Sequence, residues 1–429
     1  MTTTLRSVYT DCTFPASIDV VVIGGGIVGV IAALTLAERK ISVALLEKGH
    51  IAGEQSSRNL GWIRKTSRDI ADLPLAVEAD RLWAEMPKRI GCEVGYERCG
   101  VMFLGQNDEE MAVHERWVSE AEAYNTGTCL LSSKEVDRLV PHGKRRWAGA
   151  IYTSSDGKAE PSVAVSAMAD AALRKGAKIF QNCAVRTIST AGGKIDGVIT
   201  EKGKIECSNV LLAGGIWSRR FLGNLGISLP TLPLVCHVLR THPMEGPTHI
   251  SVGGPDFSFR KHQDGGYVIT QRSALNAPLT LDHLLIGWKY ARQLRDQYKF
   301  LRISLGADFS RDLALGRTWD SDKTSPFERV RTNNPEVENS LIEEALANLV
   351  KAWPAFKESS IAESWAGVID VTPDSNPMID NVAELPGLTV ATGFSGHGFG
   401  TGPAAGQLAA DLVGNCTPLV SPDIYKFSR

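Results

Sequence analysis

The sequence predicts a fold of the α/β class combined with an α+β portion, and three observations lead to this prediction. A β-branched run at Ile18–Ile23 precedes three consecutive glycines, a helical run reaches Arg39, and a second buried strand covers Ile41–Glu47. Strand, helix and strand in this order make a β-α-β unit with parallel strands. Short strand candidates between residues 178 and 213 and alternating runs over 232–272 indicate additional sheet.

The segment Val20–Ala37 carries no charged residue and is just long enough to suggest a membrane helix. Three consecutive glycines at Gly24–Gly26 would weaken any helix that ran through them. We therefore interpret the segment as the strand, glycine turn and helix of the β-α-β unit.

The remaining elements follow from periodicity and from turn residues. Pro403 suits the first position of the closing helix, and a buried strand at Leu388–Ala391 precedes the glycines before that helix. The other predicted elements are helices over 71–91, 108–125, Pro161–Lys175, 339–352 and Pro403–Val413, and strands over Val101–Leu104, Lys178–Phe180, Ala184–Ile188, Lys194–Thr200, Gly203–Cys207 and Asn209–Ala213.

Length and charge narrow the class of protein. The 429 residues suffice for two or three domains, and a net charge of −2 leaves no basic excess for nucleic acid. The 8 cysteines form no C-x-x-C pair and no His cluster accompanies them, so we predict no bound metal. We expect a cytoplasmic protein with small-molecule partners. Apolar sequence near 275–305 leaves a membrane or subunit contact open, and the oligomeric state stays undetermined.

The first motif is Gly24-x-Gly26-x-x-Gly29, between a buried strand and a helix. Gly24 allows the tight turn, Gly26 admits a pyrophosphate to the backbone, and Gly29 lets helix and strand pack closely. Glu47 ends the next strand, where a carboxylate accepts hydrogen bonds from ribose hydroxyls and repels a 2′-phosphate. This context predicts a Rossmann-like dinucleotide site that disfavours NADP.

Two further glycine-rich places follow buried strands. Val210–Trp217 (VLLAGGIW) ends in Ala213-Gly214-Gly215, and Thr392–Gly406 has six glycines among fifteen residues. A loop of this kind that leads into a helix N-terminus suits close backbone contact with an anion or a polarised oxygen.

Five motifs occur in order over nearly the whole chain: GGGIVG with Glu47, DGKAEP at 156–161, VLLAGGIW, WAGVIDVTPDSNPMID at 365–380 and GFSGHGFG at 393–400. In this set the chain resembles the FAD-dependent amino-acid and amine oxidoreductases, the family of glycine, sarcosine and D-amino-acid oxidases. The wording WAGVIDVTPD is most similar to the sarcosine oxidase β-subunit and dye-linked proline dehydrogenase branch. The resemblance implies a discontinuous FAD-binding domain and a substrate domain built on a mainly antiparallel sheet. The implied segments are 1–75, 155–235 and 365–429 for FAD, and 76–154 and 236–364 for the substrate.

The resemblance also implies roles for individual residues. The glycine motif and Glu47 would hold the ADP half, the backbone of Val185 would meet the adenine, and Gly396–Gly398 would line the flavin ring. Relatives that link flavin covalently carry a cysteine at the place of Gly367, so non-covalent FAD is implied. The implied cofactor residues are Gly24, Gly26, Ile27, Val28, Gly29, Glu47, Lys48, Ser56, Ser57, Arg58, Leu60, Gly61, Val185, Ala213, Gly214, Gly215, Trp217, Gly367, Asp374, Gly396, His397, Gly398, Phe399, Gly400 and Thr401.

On the substrate side the chain departs from its relatives. Many of them grip the substrate carboxylate with an arginine at the place of Ile369, and monomeric sarcosine oxidases carry a lysine at the place of Gly400. Arg64 matches an arginine near the flavin of sarcosine oxidases, and a guanidinium grips a carboxylate at two points. The candidate catalytic residues are Arg64, His397 (as a general base), Tyr267 and Arg260. The candidate pocket residues are Trp62, Arg64, Tyr267, Arg272, Trp365 and Ile369.

These implications predict an enzyme that oxidises a C–N bond of a small amino acid or secondary amine. A hydride would pass from the α-carbon to flavin N5, and the imine would hydrolyse in water. Oxygen or another electron acceptor would reoxidise the flavin. Two alternatives stay open: a 2-hydroxy acid or polyol dehydrogenase on the same architecture, and an FAD-binding subunit of a heteromeric oxidase or dehydrogenase.

Overall fold

The computed structural model describes residues 5–429, with the side chains of residues 296, 297 and 299 left aside, so residues 1–4 of the predicted segment 1–75 lie outside it. The strands are β1 Val20–Ile23, β2 Val43–Leu46, β3 Trp62–Ile63, β4 Val101–Gly105, β5 Thr128–Ser132, β6 Gly149–Thr153, β7 Gly157–Lys158, β8 Lys178–Phe180, β9 Val185–Ala191, β10 Lys194–Thr200, β11 Gly203–Ile205, β12 Asn209–Leu212, β13 Leu232–Thr241, β14 Ser251–Gly253, β15 Phe257–Lys261, β16 Tyr267–Gln271, β17 Leu275–Pro278, β18 Leu301–Ser304, β19 Ile361–Val371, β20 Met378–Asn381 and β21 Leu388–Thr392. The α-helices are α1 Ile27–Glu38, α2 Leu73–Ile90, α3 Asp108–Ala121, α4 Ser133–Leu139, α5 Pro161–Arg174, α6 Ser218–Asn224, α7 Leu281–Ile286, α8 Ala291–Gln297, α9 Ala307–Ala314, α10 Pro326–Arg329, α11 Asn339–Ala352 and α12 Gly398–Val413.

A six-stranded sheet forms the centre of the first part of the fold, in the order β20-β21-β12-β1-β2-β8. From β21 to β8 every neighbouring pair is parallel, and only the edge strand β20 runs antiparallel. The central strands are buried on both faces, which explains their nearly continuous Val, Ile and Leu sequence. The predicted β-α-β unit is confirmed: β1, α1 and β2 follow one another, and β1 pairs with β2 in parallel.

Helices α1 and α12 pack closely against each other beside this sheet, and small residues make the approach possible. Gly406 of α12 faces α1, where an added Cβ would stand 2.7 Å from the Val28 carbonyl oxygen and 2.7 Å from the Ile31 Cβ. Ala32 and Ala33 on α1 are fully buried. This contact places the N-terminus of α12 close to the glycine turn that precedes α1.

The second large sheet is mainly antiparallel and contains β18-β17-β13-β16-β15-β14-β4-β6-β5, with β19 paired to β13. Two of its pairs, β14 with β4 and β17 with β18, are parallel. A core of aromatic and aliphatic side chains lies between one face of this sheet and α11. The three-stranded β11-β10-β9 and two-stranded β3-β7 sheets complete the strand pairing.

Two elements near the C-terminus differ from the prediction. The closing helix begins at Gly398, so Pro403 lies inside it and not at its first position. The 11-residue strand β19 was not predicted, because its sequence IAESWAGVIDV mixes polar and glycine residues. Along its whole length β19 pairs with β13, and the hydrogen bonds of that pairing compensate for its weak strand pattern.

The segment from α7 to α9 holds most of the large apolar side chains that face solvent. Leu284, Trp288, Ile303 and Leu305 are each more than half exposed. No helix within residues 5–429 combines the length and the apolar character needed to cross a bilayer.

We predict that Gly406→Ala destabilises the protein by about 1–3 kcal/mol, since its methyl group would overlap Val28 and Ile31 in a closely packed contact. Thermal unfolding followed by circular dichroism measures the effect. Gly223→Ala is the matched control, because no atom lies within 4 Å of its added Cβ and alanine favours helix by up to about 1 kcal/mol. Equal melting temperatures for the two variants would contradict the packing described.

Candidate active site

Three adjacent parallel strands end at the same edge of the six-stranded sheet. The chain leaves β1 at Gly24, β2 at Glu47 and β12 at Ala213, and β1 is the middle strand of the three. A groove runs across this edge and is lined by all three strand ends. We call it the glycine groove, and its position is where open parallel sheets bind ligands.

The first turn of the groove needs glycine for steric reasons. Gly24 has a φ of +114°, and an added Cβ would collide with the Ala213 carbonyl of the neighbouring strand end. An added Cβ at Gly29 would collide with the carbonyl of Gly24. The glycine spacing therefore holds the turn between β1 and α1 in close contact with the end of β12.

Glu47 organises this turn from the end of β2. Its carboxylate accepts hydrogen bonds from the backbone N–H of Gly25 and of Gly49, each at 2.7 Å. Burial raises the pKa of Glu47, while Lys48 and the two amides act in the opposite direction. The carboxylate thus lies inside the groove and keeps free lone pairs on both oxygens.

A charged and aromatic cluster closes one side of the groove. Lys48 Nζ lies 2.7 Å from Glu54 and 4.4 Å from the centre of the Trp217 ring, and Trp217 Nε1 donates to Glu54 at 3.0 Å. The backbone N–H of Asn333 also donates to Glu54, at 3.0 Å. The cluster joins the ends of β2 and β12 to the segment after α10.

Fifteen of the predicted cofactor residues line the glycine groove together. They come from all three glycine-rich places in the sequence, which the fold brings to one sheet edge. They are Gly24, Gly26, Ile27, Val28, Glu47, Lys48, Ser56, Val185, Ala213, Gly214, Gly215, Trp217, Gly396, Gly398 and Phe399.

A second, larger cavity of about 750 Å³ adjoins the groove. Gln55, Asn59, Gly396 and Phe399 line both spaces, so the groove leads into the cavity. We call the second space the large cavity. Predicted residues that line it are Arg58, Leu60, Gly61, Trp62, Arg64, Arg272, Ile369, Gly396, His397, Phe399 and Gly400.

Two guanidinium groups share one aromatic ring in the wall of the large cavity. Arg64 lies 5.1 Å and Arg272 lies 4.8 Å from the centre of the Phe103 ring. Trp62 packs edge-on against the same ring, with centroids 5.6 Å apart. Burial, followed by the charges of Arg68 and Arg272, lowers the pKa of Arg64 to about 9, so Arg64 is cationic at neutral pH.

His397 lies beside Arg64 in the same wall, with 3.4 Å between its Nε2 and Nη2 of the arginine. A guanidinium only donates hydrogen bonds, so Nε2 is the acceptor and the proton resides on Nδ1. Burial and the charges of Arg68 and Arg64 hold the pKa of His397 well below its usual value. His397 is therefore neutral at physiological pH, and its free lone pair is directed at Arg64.

The structure corrects three substrate-side predictions. Tyr267 faces the opposite side of the sheet, where its ring packs on Phe356 and its hydroxyl donates to Thr248 at 2.8 Å. Arg260 forms a buried two-point ion pair with Glu160, at 2.8 and 2.7 Å, outside the large cavity. Trp365 also lies outside it.

Trp365 packs against Leu60, Val238 and Val268, and its Nε1 donates to the Arg58 carbonyl at 3.0 Å. A smaller cavity that Arg260 and Trp365 both line is separated from the large cavity by the segment around Leu60. Both side chains therefore support the loop behind the pocket and do not form its wall.

Five predicted cofactor residues line neither the groove nor the large cavity. Asp374 is corrected, because it pairs with Arg429 at 2.7 Å, away from the groove. Thr401 is buried and donates to the His397 carbonyl at 3.1 Å. Gly367 lies next to Gln55, whose Oε1 would stand 2.7 Å from an added Cβ. The other two are Gly29, packed under Gly24, and Ser57, which lines the smaller cavity with Arg260 and Trp365.

Some residues of the site were not predicted from the sequence. Asp370 lines the groove and accepts from the Gly393 N–H at 2.6 Å, which fixes the third glycine loop. Burial raises the pKa of Asp370 against this hydrogen bond. Phe327, Arg331 and Thr332 line the groove from a segment that lies in the predicted substrate domain. Nothing in their local sequence indicated this, since the segment reaches the groove only through tertiary contacts.

Comparison with known proteins assigns the family. Residues 19–412 match the family described as FAD dependent oxidoreductase. The chain belongs to this family. Its cofactor is therefore FAD, and the fold is that of FAD dependent oxidoreductases.

Three members show how the chain compares within the family. The solved L-amino acid deaminase of Proteus myxofaciens, in complex with anthranilate, is 32% identical with a TM-score of 0.95, covering 100% of this chain and 98% of that one. Sarcosine oxidase subunit beta of Rhodobacter capsulatus is 23% identical over 92% of this chain and 84% of its own length. Mitochondrial sarcosine dehydrogenase of Mus musculus is 23% identical over 96% of this chain, which spans only 42% of that relative.

The residues of the groove fit FAD. Gly26 has no Cβ between the groove and the first turn of α1, where Ser56 Oγ accepts from the Ile27 N–H at 2.9 Å. The Glu47 carboxylate directly follows β2, the position from which a carboxylate accepts hydrogen bonds from the ribose hydroxyls of a dinucleotide. At the junction with the large cavity, Gln55 Oε1 is buried and has no hydrogen-bond partner within the described chain.

We predict that Glu47→Gln weakens FAD binding by about tenfold or more, because a carboxamide presents an N–H to one of the two amides that Glu47 now accepts from. The ratio of flavin to protein absorbance after dialysis, and titration of the apoprotein with FAD, measure the change. Glu384→Gln, at an exposed position, is the matched control. Unchanged FAD affinity in Glu47→Gln would show that this carboxylate does not organise the groove.

Proposed function

We propose that this protein oxidises the C–N bond of a small amino acid or secondary amine, with bound FAD as the electron acceptor. The observation that carries the proposal is the composition of the large cavity, which opens from the glycine groove. It holds unpaired guanidinium groups, and none of the described residues that line it is an aspartate or a glutamate. Such a wall attracts a carboxylate and does not retain an ammonium ion.

Arg64 and Arg272 are the proposed anchors for substrate carboxylate. A guanidinium can bind a carboxylate at two points, and both guanidiniums lie close to the Phe103 ring. They take the place of the arginine that relatives carry at the position of Ile369. His397 positions Arg64 by accepting from its Nη2, and we assign it no proton transfer.

The cationic wall also favours the neutral form of the substrate amine, since an ammonium group would be repelled. A neutral amine already has the lone pair that forms the C=N bond, so no protein base is required. When bound, FAD accepts the hydride that leaves the α-carbon. Ile369 and Phe399 contribute apolar surface to the cavity and limit access of water. The imine then takes up water to give an oxo acid and ammonia, or an amine from a secondary substrate.

The activities of the relatives support this reaction class. The Proteus protein is an L-amino acid deaminase, and the other two act on sarcosine by name. We also propose that FAD is held without a covalent bond. Gly367 occupies the position where relatives have the linking cysteine, and glycine has no side chain that could form the bond.

The test is anaerobic bleaching of the flavin in the purified holoenzyme by a panel of D- and L-amino acids, N-methyl amino acids and 2-hydroxy acids. We predict that amino acids or N-methyl amino acids bleach it and that the oxo acid product appears in equal amount. Arg272→Gln should raise KM by about tenfold or more, because hydrogen bonds to charged groups contribute about 1.5–3 kcal/mol.

Bleaching by hydroxy acids alone would replace the proposal with C–O oxidation. Bleaching by no compound, with FAD bound, would favour a subunit that acts only within a complex. Admission of oxygen after bleaching separates an oxidase, which recovers its colour, from a dehydrogenase that needs another acceptor. The matched control for Arg272→Gln is Arg81→Gln, which removes exposed ion pairs on α2 and should leave KM unchanged.

A further inference from the structure

The wall of the large cavity carries more positive charge than the single carboxylate of a neutral amino acid would compensate. Four arginines line the cavity, and no carboxylate lines it among the residues that the structure describes. Two of the four are held by several backbone carbonyls or by a carboxylate. Arg58 donates to the carbonyls of Gly53, Asn333 and Ala366, and Arg68 lies 3.4 Å from the Asp72 carboxylate.

Among the described residues, no carboxylate lies within ion-pair distance of Arg64 or Arg272, and each donates to fewer neutral acceptors than Arg58 does. The carboxylates that act on Arg64 from a distance are Asp156 and Asp72, and these are paired with Lys65 and Arg68. Arg64 itself donates only to the Thr66 carbonyl and to His397. Arg272 donates to the Gly254 carbonyl at 3.2 Å. It is also more than one-third exposed, because the cavity it faces is wide enough to admit water.

The volume of the cavity permits a substrate with a side chain. The space of about 750 Å³ is shared with the cofactor, because Gly396 and His397, which are predicted to line the flavin ring, also line this cavity. If one carboxylate occupied both guanidiniums, one positive charge would remain uncompensated in a partly apolar space. A partly desolvated charge without a counter-charge is unfavourable, and water in the cavity reduces this cost for Arg272.

Resting on the proposed function, we propose that the substrate is an amino acid or secondary amine with two anionic groups, one bound by Arg64 and the other by Arg272. A second carboxylate at the end of a short side chain would neutralise the second guanidinium. Arg64 and Arg272 are then the residues that determine specificity. Both guanidiniums contact the Phe103 ring, which keeps them in the same wall of the cavity.

Binding of inert acids to the holoenzyme tests this without turnover. Glutarate and pentanoate have the same chain length and differ in one carboxylate. Perturbation of the flavin absorbance spectrum gives their dissociation constants. We expect glutarate to bind at least about tenfold more tightly than pentanoate, because each guanidinium then has its own charged partner. Equal affinities, or tighter binding of pentanoate, would overturn the inference in favour of an apolar side-chain pocket.

Arginine variants distinguish two models: two carboxylates that each bind one arginine, and one carboxylate that binds both arginines. Arg64→Gln and Arg272→Gln should each remove the preference for glutarate, and one of the two should leave pentanoate affinity within about twofold. Equal losses for both acids in both variants would show that a single carboxylate uses both arginines, and would overturn the inference. Arg64→Lys and Arg272→Lys keep the charge and serve if a glutamine variant loses FAD. Arg81→Gln is again the surface control.

Flavin bleaching with matched substrates distinguishes this inference from the proposed function. Aspartate and glutamate are compared with asparagine and glutamine in both enantiomers. Faster bleaching by aspartate or glutamate than by the corresponding amides supports both the proposed function and the inference of two anion positions. Equal bleaching by acids and amides overturns the inference and leaves the proposed function intact. Tight glutarate binding without bleaching by any amine would instead overturn the proposed function.

Discussion

Two buried carboxylates hold the segment on which both spaces of the site depend. This segment, residues 55–68, contributes to the glycine groove at one end and to the large cavity at the other. Asp156 accepts from the backbone N–H groups of Lys65 and Thr66, directly after Arg64. Glu160 binds Arg260, which donates to the Leu60 carbonyl. Breaking a buried pair of this kind costs about 3–5 kcal/mol, so the loop that carries Arg64 has little freedom to move. Both acids belong to the DGKAEP motif, whose role is thus to position the loop.

Strand β19 connects the cofactor side to the substrate side through the alternation of its side chains. Successive residues of a strand point to opposite faces. Ile369 lines the large cavity, and its neighbour Asp370 binds the third glycine loop through Gly393. A strand between the two spaces therefore fixes the distance between a bound cofactor and the substrate that reacts with it.

Local patterns predicted the parts of the fold that local interactions determine. The β-α-β unit, the strand at Lys194–Thr200 and the helix at 339–352 depend on short-range periodicity, and the structure places them within a few residues of the prediction. The three glycine-rich segments were each predicted from the buried strand before them, and the family resemblance joined them into one cofactor site. Strand β19 and the groove residues after α10 were missed, since both depend on partners distant in sequence.

The substrate wall was harder to predict because it depends on which sheet face each residue occupies. Tyr267 pairs with Lys261 across β16 and β15, and it points away from the cavity into the core under α11. Arg260 lies on the same face as the cavity residue Ser258, but Leu60 covers it. A shift of one residue in strand register, or a loop that covers the side chain, determines whether a polar residue lines the cavity or packs inside the fold. Neither the register nor the covering loop can be inferred from the sequence of a single strand.

The order of strands in the six-stranded sheet has a consequence for biosynthesis. The groove is bordered by β1 near the beginning of the chain, by β12 in its middle, and by the loop after β21 close to its end. Contacts so distant in sequence form late and slowly. The ribosome must therefore synthesise the chain through β21 before all borders of the groove are present, and until then β1 and β12 lack part of their final packing.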